Sequence, residues 1–217
     1  KKIGCNINFI GKRKILIIGI KKFKETSHEV IFDRIELGTF LIAAALVGKK
    51  IILLKIKPKI IKTEIKLLKK MGVKMKIEKN KITVFESVNI NNVNIKTEPY
   101  PGFPTDLQAQ IMVLMLKASG ISKITENIFE NRFMHVPELK RMGARILIKN
   151  NTAFVEGPTS LSGAEVMATD LRASVSLVLA ALSADKKTTI NRVYHLDRGY
   201  ENLEKKLKKC KANINRI

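Results

Sequence analysis

Apolar positions change period several times along the chain, and each change marks an element. From 107 to 115, Leu107, Ile111, Met112, Leu114 and Met115 run round too much of a helix to form one stripe, so this helix is expected to be surrounded by protein. The stretches FLIAAALVG (40–48) and RASVSLVLAALSA (172–184) have the same character. By contrast, Tyr200, Leu203, Leu207 and Cys210 recur at steps of three and four and predict an amphipathic helix with one buried face. Period-two alternation appears at Ile7 and Phe9 followed by Ile15 and Ile17, at Met75 and Ile77 followed by Ile82 and Val84, and at Ile146 and Ile148 followed by Ala153 and Val155. Each set is broken by Gly11, Asn80 or Asn150 and predicts two strands joined by a tight turn. Pro99, Pro101 and Pro104 cannot continue a helix from upstream, so Thr105 and Asp106 are expected at the start of the 107–115 helix, with Asp106 as its cap.

These elements recur. LLKKMGVKMKI (67–77), LKRMGARILI (139–148) and LKKCKANINRI (207–217) are one helix end running into one strand, and KKIGCNINFI (1–10) is a further copy without its front. The junction glycine falls at Gly4, Gly72 and Gly143, with Lys211 in its place in the last copy, giving spacings of 68, 71 and 68 residues. Such a glycine suits a left-handed helix C-cap, which makes Lys211 a position of mild strain or a different cap. Each full copy begins at an aspartate (Asp33, Asp106, Asp170), passes through an apolar helix, a strand (IILLKI, SKITENI or TTINRV) and an amphipathic helix, and ends in a strand pair. The expected fold is therefore α/β, with three βαβαββ-like repeats set round a pseudo-threefold axis, apolar helices inside and sheets outside. Residues 1–29 are expected to be the end of a preceding similar domain with its crossover, His28 lying solvated in the linker, and 30–217 the repeat domain.

Charge adds less than its size suggests. The formal net charge of +22 raises nucleic acid or an anionic membrane as a partner. Residues 1–98 carry 23 basic and 8 acidic side chains against 18 and 11 in 99–217, so the excess is greatest where motifs are fewest. That stretch is also crowded with Ile and Asn, residues which share A/T-rich codons with Lys, and there is no Trp for base stacking. Neither nucleic acid nor membrane is expected as a partner, and no apolar run is long enough to span a bilayer. Cys5 and Cys210 make no disulfide framework, fall at small core positions of the repeat, and fit a reduced, cytoplasmic compartment. The first residues lack a signal-peptide core, and with no initiator Met and a repeat copy without its front, Lys1 is expected to be a cut or a processed start.

Helix starts and loops at equivalent ends of the repeats should converge on one face. That face would collect Asp33 and Arg34, Asp106, Arg132, Asp170 and Arg172, and His195, Asp197 and Arg198. Guanidinium groups recognise phosphate or carboxylate in bidentate fashion, and carboxylates among them suit proton transfer on a polyanionic substrate. His135 and His195 lack partners at metal-ligand spacing, so no metal is expected. No P-loop, dinucleotide fingerprint or nucleophile elbow is present.

The segments YPGFPTDLQAQ (100–110), ITENIFENRFMHVPELKRMGA (124–144), LSGAEVMATDLRAS (161–174) and YHLDRGYENLEKKL (194–207), with DRIELGTFLIAAA (33–45), resemble signature segments of the UDP-N-acetylglucosamine 1-carboxyvinyltransferase family of enolpyruvyl transferases. The resemblance spans essentially the whole chain as the carboxyl-terminal half of such an enzyme. It implies the inside-out α/β barrel fold and transfer of enolpyruvyl from phosphoenolpyruvate to the 3′-hydroxyl of UDP-N-acetylglucosamine with release of phosphate, in peptidoglycan synthesis. No cofactor is implied. By the same resemblance Asp106 is the sugar-binding residue and candidate general base, and Ile128 stands where the family contacts the UDP-sugar. Arg132, Asp170, Arg172 and Arg198 match charged residues lining the cleft, Arg198 nearest phosphoenolpyruvate, and Arg34 is expected to face the cleft between domains. The family's amino-terminal half, with its Lys-Asn pair, phosphate- and uridine-binding arginines and a mobile loop bearing the acid Cys, is missing from these residues. Cys5, at a packing position, does not replace that Cys, so the chain alone is expected to be inactive. The shikimate-pathway enolpyruvyl transferase shares the fold and is the nearest rival, disfavoured by the HLDRGYE and ENRFMH segments.

Overall fold

The computed structural model describes residues 1–217, which divide into two compact units, Lys1–Phe32 and Asp33–Ile217. The division falls three residues beyond the expected boundary before residue 30. The first unit holds an antiparallel ribbon, β1 (Asn6–Ile10) and β2 (Lys14–Ile18), in the register Asn6 to Ile18 and Ile10 to Lys14. The turn contains Gly11 at φ 65°, as its place between two alternating runs predicts. His28 is exposed.

The second unit opens with α1 (Arg34–Val47), β3 (Lys50–Leu54), α2 (Lys62–Lys70), β4 (Met75–Ile77) and β5 (Lys81–Phe85). Next come β6 (Ile90–Asn91), β7 (Asn94–Lys96), α3 (Gln108–Met115), β8 (Ala118–Thr125), α4 (Val136–Arg141), β9 (Arg145–Lys149) and β10 (Thr152–Gly157). It closes with β11 (Glu165–Met167), α5 (Leu171–Ser183), β12 (Thr189–Asn191), α6 (Tyr194–Asp197) and α7 (Leu203–Lys209). The apolar helices α1, α3 and α5 each touch the other two. All eight residues of α3 are buried, as its unbroken apolar surface requires. Gly38 on α1 makes one of these approaches possible, because a Cβ there would collide with the Leu107 side chain.

Sheets clothe this helical centre. One has the order β3-β5-β4, all antiparallel; the second runs β6-β8-β10-β9 with β7 also on β8; the third is the parallel pair β11-β12. Only the middle repeat is a complete βαβαββ unit. The first has no opening strand, and the last has no closing pair: residues 211–217 form no strand where LKKCKANINRI predicts one. A lone strand without a neighbour gains no ladder hydrogen bonds, so the sequence pattern is not sufficient there. Nor is Cys210 a core residue. Helix α7 ends at Lys209, the buried face stops at Leu207, and Cys210 is exposed while Cys5 is half-buried.

The junction positions behave alike. Gly4, Gly72 and Gly143 have φ of 96°, 87° and 98°, and Lys211 is forced to 68°. A side chain in this region costs about 1 kcal/mol relative to glycine. Lys211→Gly should therefore stabilise the protein by about 1 kcal/mol and Gly143→Ala should destabilise it by a similar amount, both read as shifts of the urea midpoint.

Candidate active site

The three repeat aspartates do not do the same work. Asp33 Oδ1 accepts from the main-chain N–H groups of Ile35 (2.7 Å) and Glu36 (3.2 Å), and Asp170 Oδ1 from those of Arg172 (2.7 Å) and Ala173 (2.9 Å). Both are N-caps, as their positions predict. Asp106 is not. It lies inside a 3₁₀ turn, Thr105–Leu107, whose start at Pro104 has no side-chain cap. The tight turn rotates its carboxylate off the helix axis and toward two arginines. Asp106 Oδ1 accepts from Arg132 Nη2 at 2.9 Å, and Oδ2 is 3.1 Å from Arg172 Nη2.

The two arginines come from different repeats. Arg132 stands in the turn between β8 and α4, its guanidinium 5.0 Å from the Phe129 ring, and Arg172 in the first turn of α5. Asp106 remains 39% exposed while its partners are 22% and 18% exposed, so the carboxylate is the reachable member of a partly desolvated group. Each guanidinium retains N–H groups beyond those on Asp106, and the cluster carries one excess positive charge. Such a site can hold an anion beside a carboxylate.

Other candidates stand apart from this contact. Asp170 is spent on its cap. Arg198, after α6, is exposed and has no ion-pair partner; its neighbour Gly199 lies against Leu171, at the start of the helix that carries Arg172. Arg34 pairs with the buried Glu64 at 3.2 Å and lies 5.1 Å from the Tyr100 ring. Burial pushes the Glu64 carboxyl up, and the Arg34 charge opposes that rise. Asp197 is held by Arg216 at 2.6 and 3.0 Å, which keeps its carboxyl below the ordinary range. Ile128 is exposed, but its N–H donates to Glu126 Oε1 at 2.9 Å, leaving the carbonyl and side chain for any ligand.

Glu126 is the residue that sequence reasoning missed. It is 3% exposed, and its carboxylate accepts from Thr97 Oγ1 (2.7 Å), Thr105 Oγ1 (2.9 Å) and the N–H groups of Ile128 (2.9 Å) and Phe129 (3.2 Å). It thereby ties the residue before Asp106 to the loop that leads to Arg132. The signal available was a glutamate at a strand end two residues before an apolar loop position, which by itself looks like any surface acid. No group of His, Cys, Asp and Glu side chains suited to a metal ion is formed.

A family model described as EPSP synthase (3-phosphoshikimate 1-carboxyvinyltransferase) matches residues 1–207. The chain belongs to this family of enolpyruvyl transferases. Within the family it is 59% identical over 215 residues to the UDP-N-acetylglucosamine 1-carboxyvinyltransferase of Pelagibacter ubique, covering 99% of this chain and 52% of that protein. It is 51% identical to the enzyme of the same name from Rickettsia prowazekii over 216 residues, again 52% of that protein. The chain thus spans about half the length of the curated relatives it matches. Among solved structures, the enolpyruvyl transferase NikO from Streptomyces tendae superposes with a TM-score of 0.88 at 29% identity, over 99% of this chain and 52% of that one. EPSP synthase from Acinetobacter baumannii superposes at 0.73 with 18% identity, over 96% of this chain and 52% of that one, a likeness of fold. The α/β fold expected from the repeats, and the enolpyruvyl transferase fold implied by the resemblance, agree with these neighbours.

His135, three residues beyond Arg132, is buried against α3. It is 2% exposed, its Nε2 lies 3.2 Å from Met112 Sδ, and burial holds its pKa down at about 4, with the Arg132 charge adding to the effect and the Asp170 charge opposing it. Below its ordinary value of 6.5, the unfolded chain takes up a proton that the native imidazole refuses, so stability falls as pH drops from about 6.5 to about 4. Between pH 7 and 4.5 the native protein should lose about 2–3 kcal/mol more than the His135→Gln variant, measured by urea unfolding at both pH values.

Proposed function

We propose that this chain is the carboxyl-terminal half of a UDP-N-acetylglucosamine 1-carboxyvinyltransferase, which moves enolpyruvyl from phosphoenolpyruvate to the sugar 3′-hydroxyl and releases phosphate. The reading is supported by the identity to such enzymes over the whole chain and, above all, by one observation: the exposed Asp106 carboxylate held between Arg132 and Arg172. A hydroxyl made nucleophilic needs a base within hydrogen-bond reach, and phosphoenolpyruvate and a nucleotide diphosphate both need cations. Asp106 is the base. Both of its oxygens carry an arginine, so the oxygen that takes the proton is uncovered when an arginine turns to a substrate anion.

Arg132 and Arg172 bind substrate charge on the two sides of Asp106, and the exposed Arg198 supplies a further cation on the phosphoenolpyruvate side. The Asp170 carboxylate keeps the first turn of α5, and so Arg172, in register. Ile128 meets the UDP-sugar through its carbonyl and side chain. Arg34, held by Glu64, is the remaining cation offered to substrate. The partner that completes the cleft is an amino-terminal half supplying the phosphate- and uridine-binding groups and the acid Cys. Peptidoglycan precursor synthesis in the cytoplasm is the setting, and no helix is long and apolar enough to cross a membrane.

Two measurements test this reading. The 217-residue chain alone should bind UDP-N-acetylglucosamine weakly and release no phosphate, whereas the chain joined to the amino-terminal half of the Pelagibacter ubique relative should turn over both substrates. Rapid turnover by the chain alone, or none by a folded fusion, would overturn it. In the active fusion Asp106→Asn should lower kcat by about a hundredfold or more while costing less than about 1 kcal/mol of stability, because the lost ion pairs are partly exposed. Turnover within tenfold of the unmodified enzyme would place the base elsewhere.

A further inference from the structure

The middle repeat departs from the other two at a second place besides Asp106, and the two departures are joined. Strand β8 pairs with β10 as β3 pairs with β5: Thr125 stands opposite Thr152 and Leu54 opposite Lys81, at the same 71-residue spacing that separates Gly72 from Gly143. The residue after the strand is thus Lys55 in the first repeat and Glu126 in the second, and Arg192 follows β12 in the third. Lys55 and Arg192 are exposed and left-handed, at φ 56° and 59°. Glu126 is neither, and its carboxylate is buried.

That carboxylate closes a circuit of contacts round Asp106. Glu126 Oε2 accepts from Thr105 Oγ1 at 2.9 Å, and Thr105 adjoins Asp106. Asp106 Oδ1 accepts from Arg132 Nη2 at 2.9 Å, and the Arg132 guanidinium lies 5.0 Å from the Phe129 ring. The Phe129 N–H returns to Glu126, donating to Oε1 at 3.2 Å beside the Ile128 N–H at 2.9 Å. A further donor to Oε1, Thr97 Oγ1 at 2.7 Å, itself accepts from the Asn127 N–H at 2.9 Å. On its inner side the Asp106 turn is anchored separately. Gln110 Nε2 faces the Asp106 carbonyl at 2.9 Å, Thr39 Oγ1 at 3.2 Å and the Tyr200 hydroxyl at 3.4 Å, the last two being 2.8 Å apart.

A carboxylate taken out of water is unfavourable unless donors surround it. The repeat does not need one here, because exposed basic residues end the corresponding strands. What Glu126 supplies is a common acceptor for two segments, the turn at 105–107 and the loop at 127–132. No main-chain hydrogen bond runs between them. We infer that Glu126 is a positioning residue: it locks the Asp106 turn to the loop bearing Ile128 and Arg132, so that carboxylate, guanidinium and Ile128 keep a fixed spacing. This role rests on the reading of Asp106 as the base and Ile128 as a UDP-sugar contact. Glu126 itself acts through Thr105 and through the main chain of Ile128 and Phe129.

The first test needs only the 217-residue chain and reads the guanidinium protons of two arginines by NMR. Thr105→Val keeps the side-chain shape and removes the hydroxyl. In it the Arg132 protons should exchange with water about tenfold faster than in the unmodified chain, while those of Arg34, paired with Glu64 in the first repeat, stay within about twofold. Thr105→Ser should restore slow Arg132 exchange. Glu126→Gln should keep it slow as well, since the amide oxygen can take the three bonds on Oε1 and the amide N–H can donate to the Thr105 hydroxyl. Unchanged Arg132 exchange in a folded Thr105→Val, equal acceleration of Arg132 and Arg34, a serine variant as fast as the valine one, or fast exchange in Glu126→Gln would overturn the inference. A measurement on the unmodified chain needs no variant to fold: the Ile128 and Phe129 amides and the Arg132 guanidinium should open together, with opening constants within about threefold. Opening of the amides without Arg132 would equally overturn it. In the active fusion, Thr105→Val should raise KM for UDP-N-acetylglucosamine about tenfold and leave KM for phosphoenolpyruvate within about twofold. An unchanged UDP-sugar KM, or equal rises in both, would count against the role. A fusion that folds and never transfers enolpyruvyl counts against the proposed activity, and the exchange experiments still decide the positioning role.

Discussion

Three helices too apolar to face water have to be buried against one another, and the rest of the second unit follows from that constraint. Once α1, α3 and α5 share a centre, the sheets must lie outside them, and the loops entering the three helices gather at equivalent ends. The buried area drives this association without direction. Direction comes from a few polar groups: the caps at Asp33 and Asp170, the Thr39, Gln110 and Tyr200 network, and the Glu126 carboxylate under the Asp106 turn.

The site arises by breaking the repeat at one place. Two helix starts satisfy their free N–H groups with an aspartate, the ordinary solution. The third begins with a prolyl approach and a 3₁₀ turn, and its aspartate turns away to meet Arg132 and Arg172. A carboxylate released from capping becomes available for chemistry, while Glu126 and Gln110 hold the turn in its place. Symmetry thus built the scaffold, and its local loss left the Asp106 carboxylate between two arginines.

The large positive charge stands outside this account. Arg132 and Arg172 meet Asp106 and Arg34 meets Glu64, whereas lysines such as Lys59, Lys62, Lys66 and Lys69 lie exposed on and beside α2. Charge that sits on solvated lysines contributes to solubility and to weak, salt-sensitive attraction of anions. The guanidinium groups, fixed by carboxylates and by ring contacts, carry the specific geometry.

Periodicity and the junction motif determined by themselves the repeat, the buried helices, the strand pairs after Gly4, Gly72 and Gly143 and the left-handed positions at those three glycines, because these depend on local sterics and on which face is apolar. The candidate residues Asp106, Arg132 and Arg172 were legible as types in motifs. Their meeting was not, since it joins residues 26 and 66 positions apart along the chain. The strand missing at 211–217, the exposure of Cys210, the refusal of Asp106 to cap and the burial of Glu126 were decided only in three dimensions. In each case the outcome turns on a neighbour that is present or absent: a strand needs a partner, a stripe needs a helix long enough to carry it, and a carboxylate goes to whichever donors the fold brings within hydrogen-bond reach.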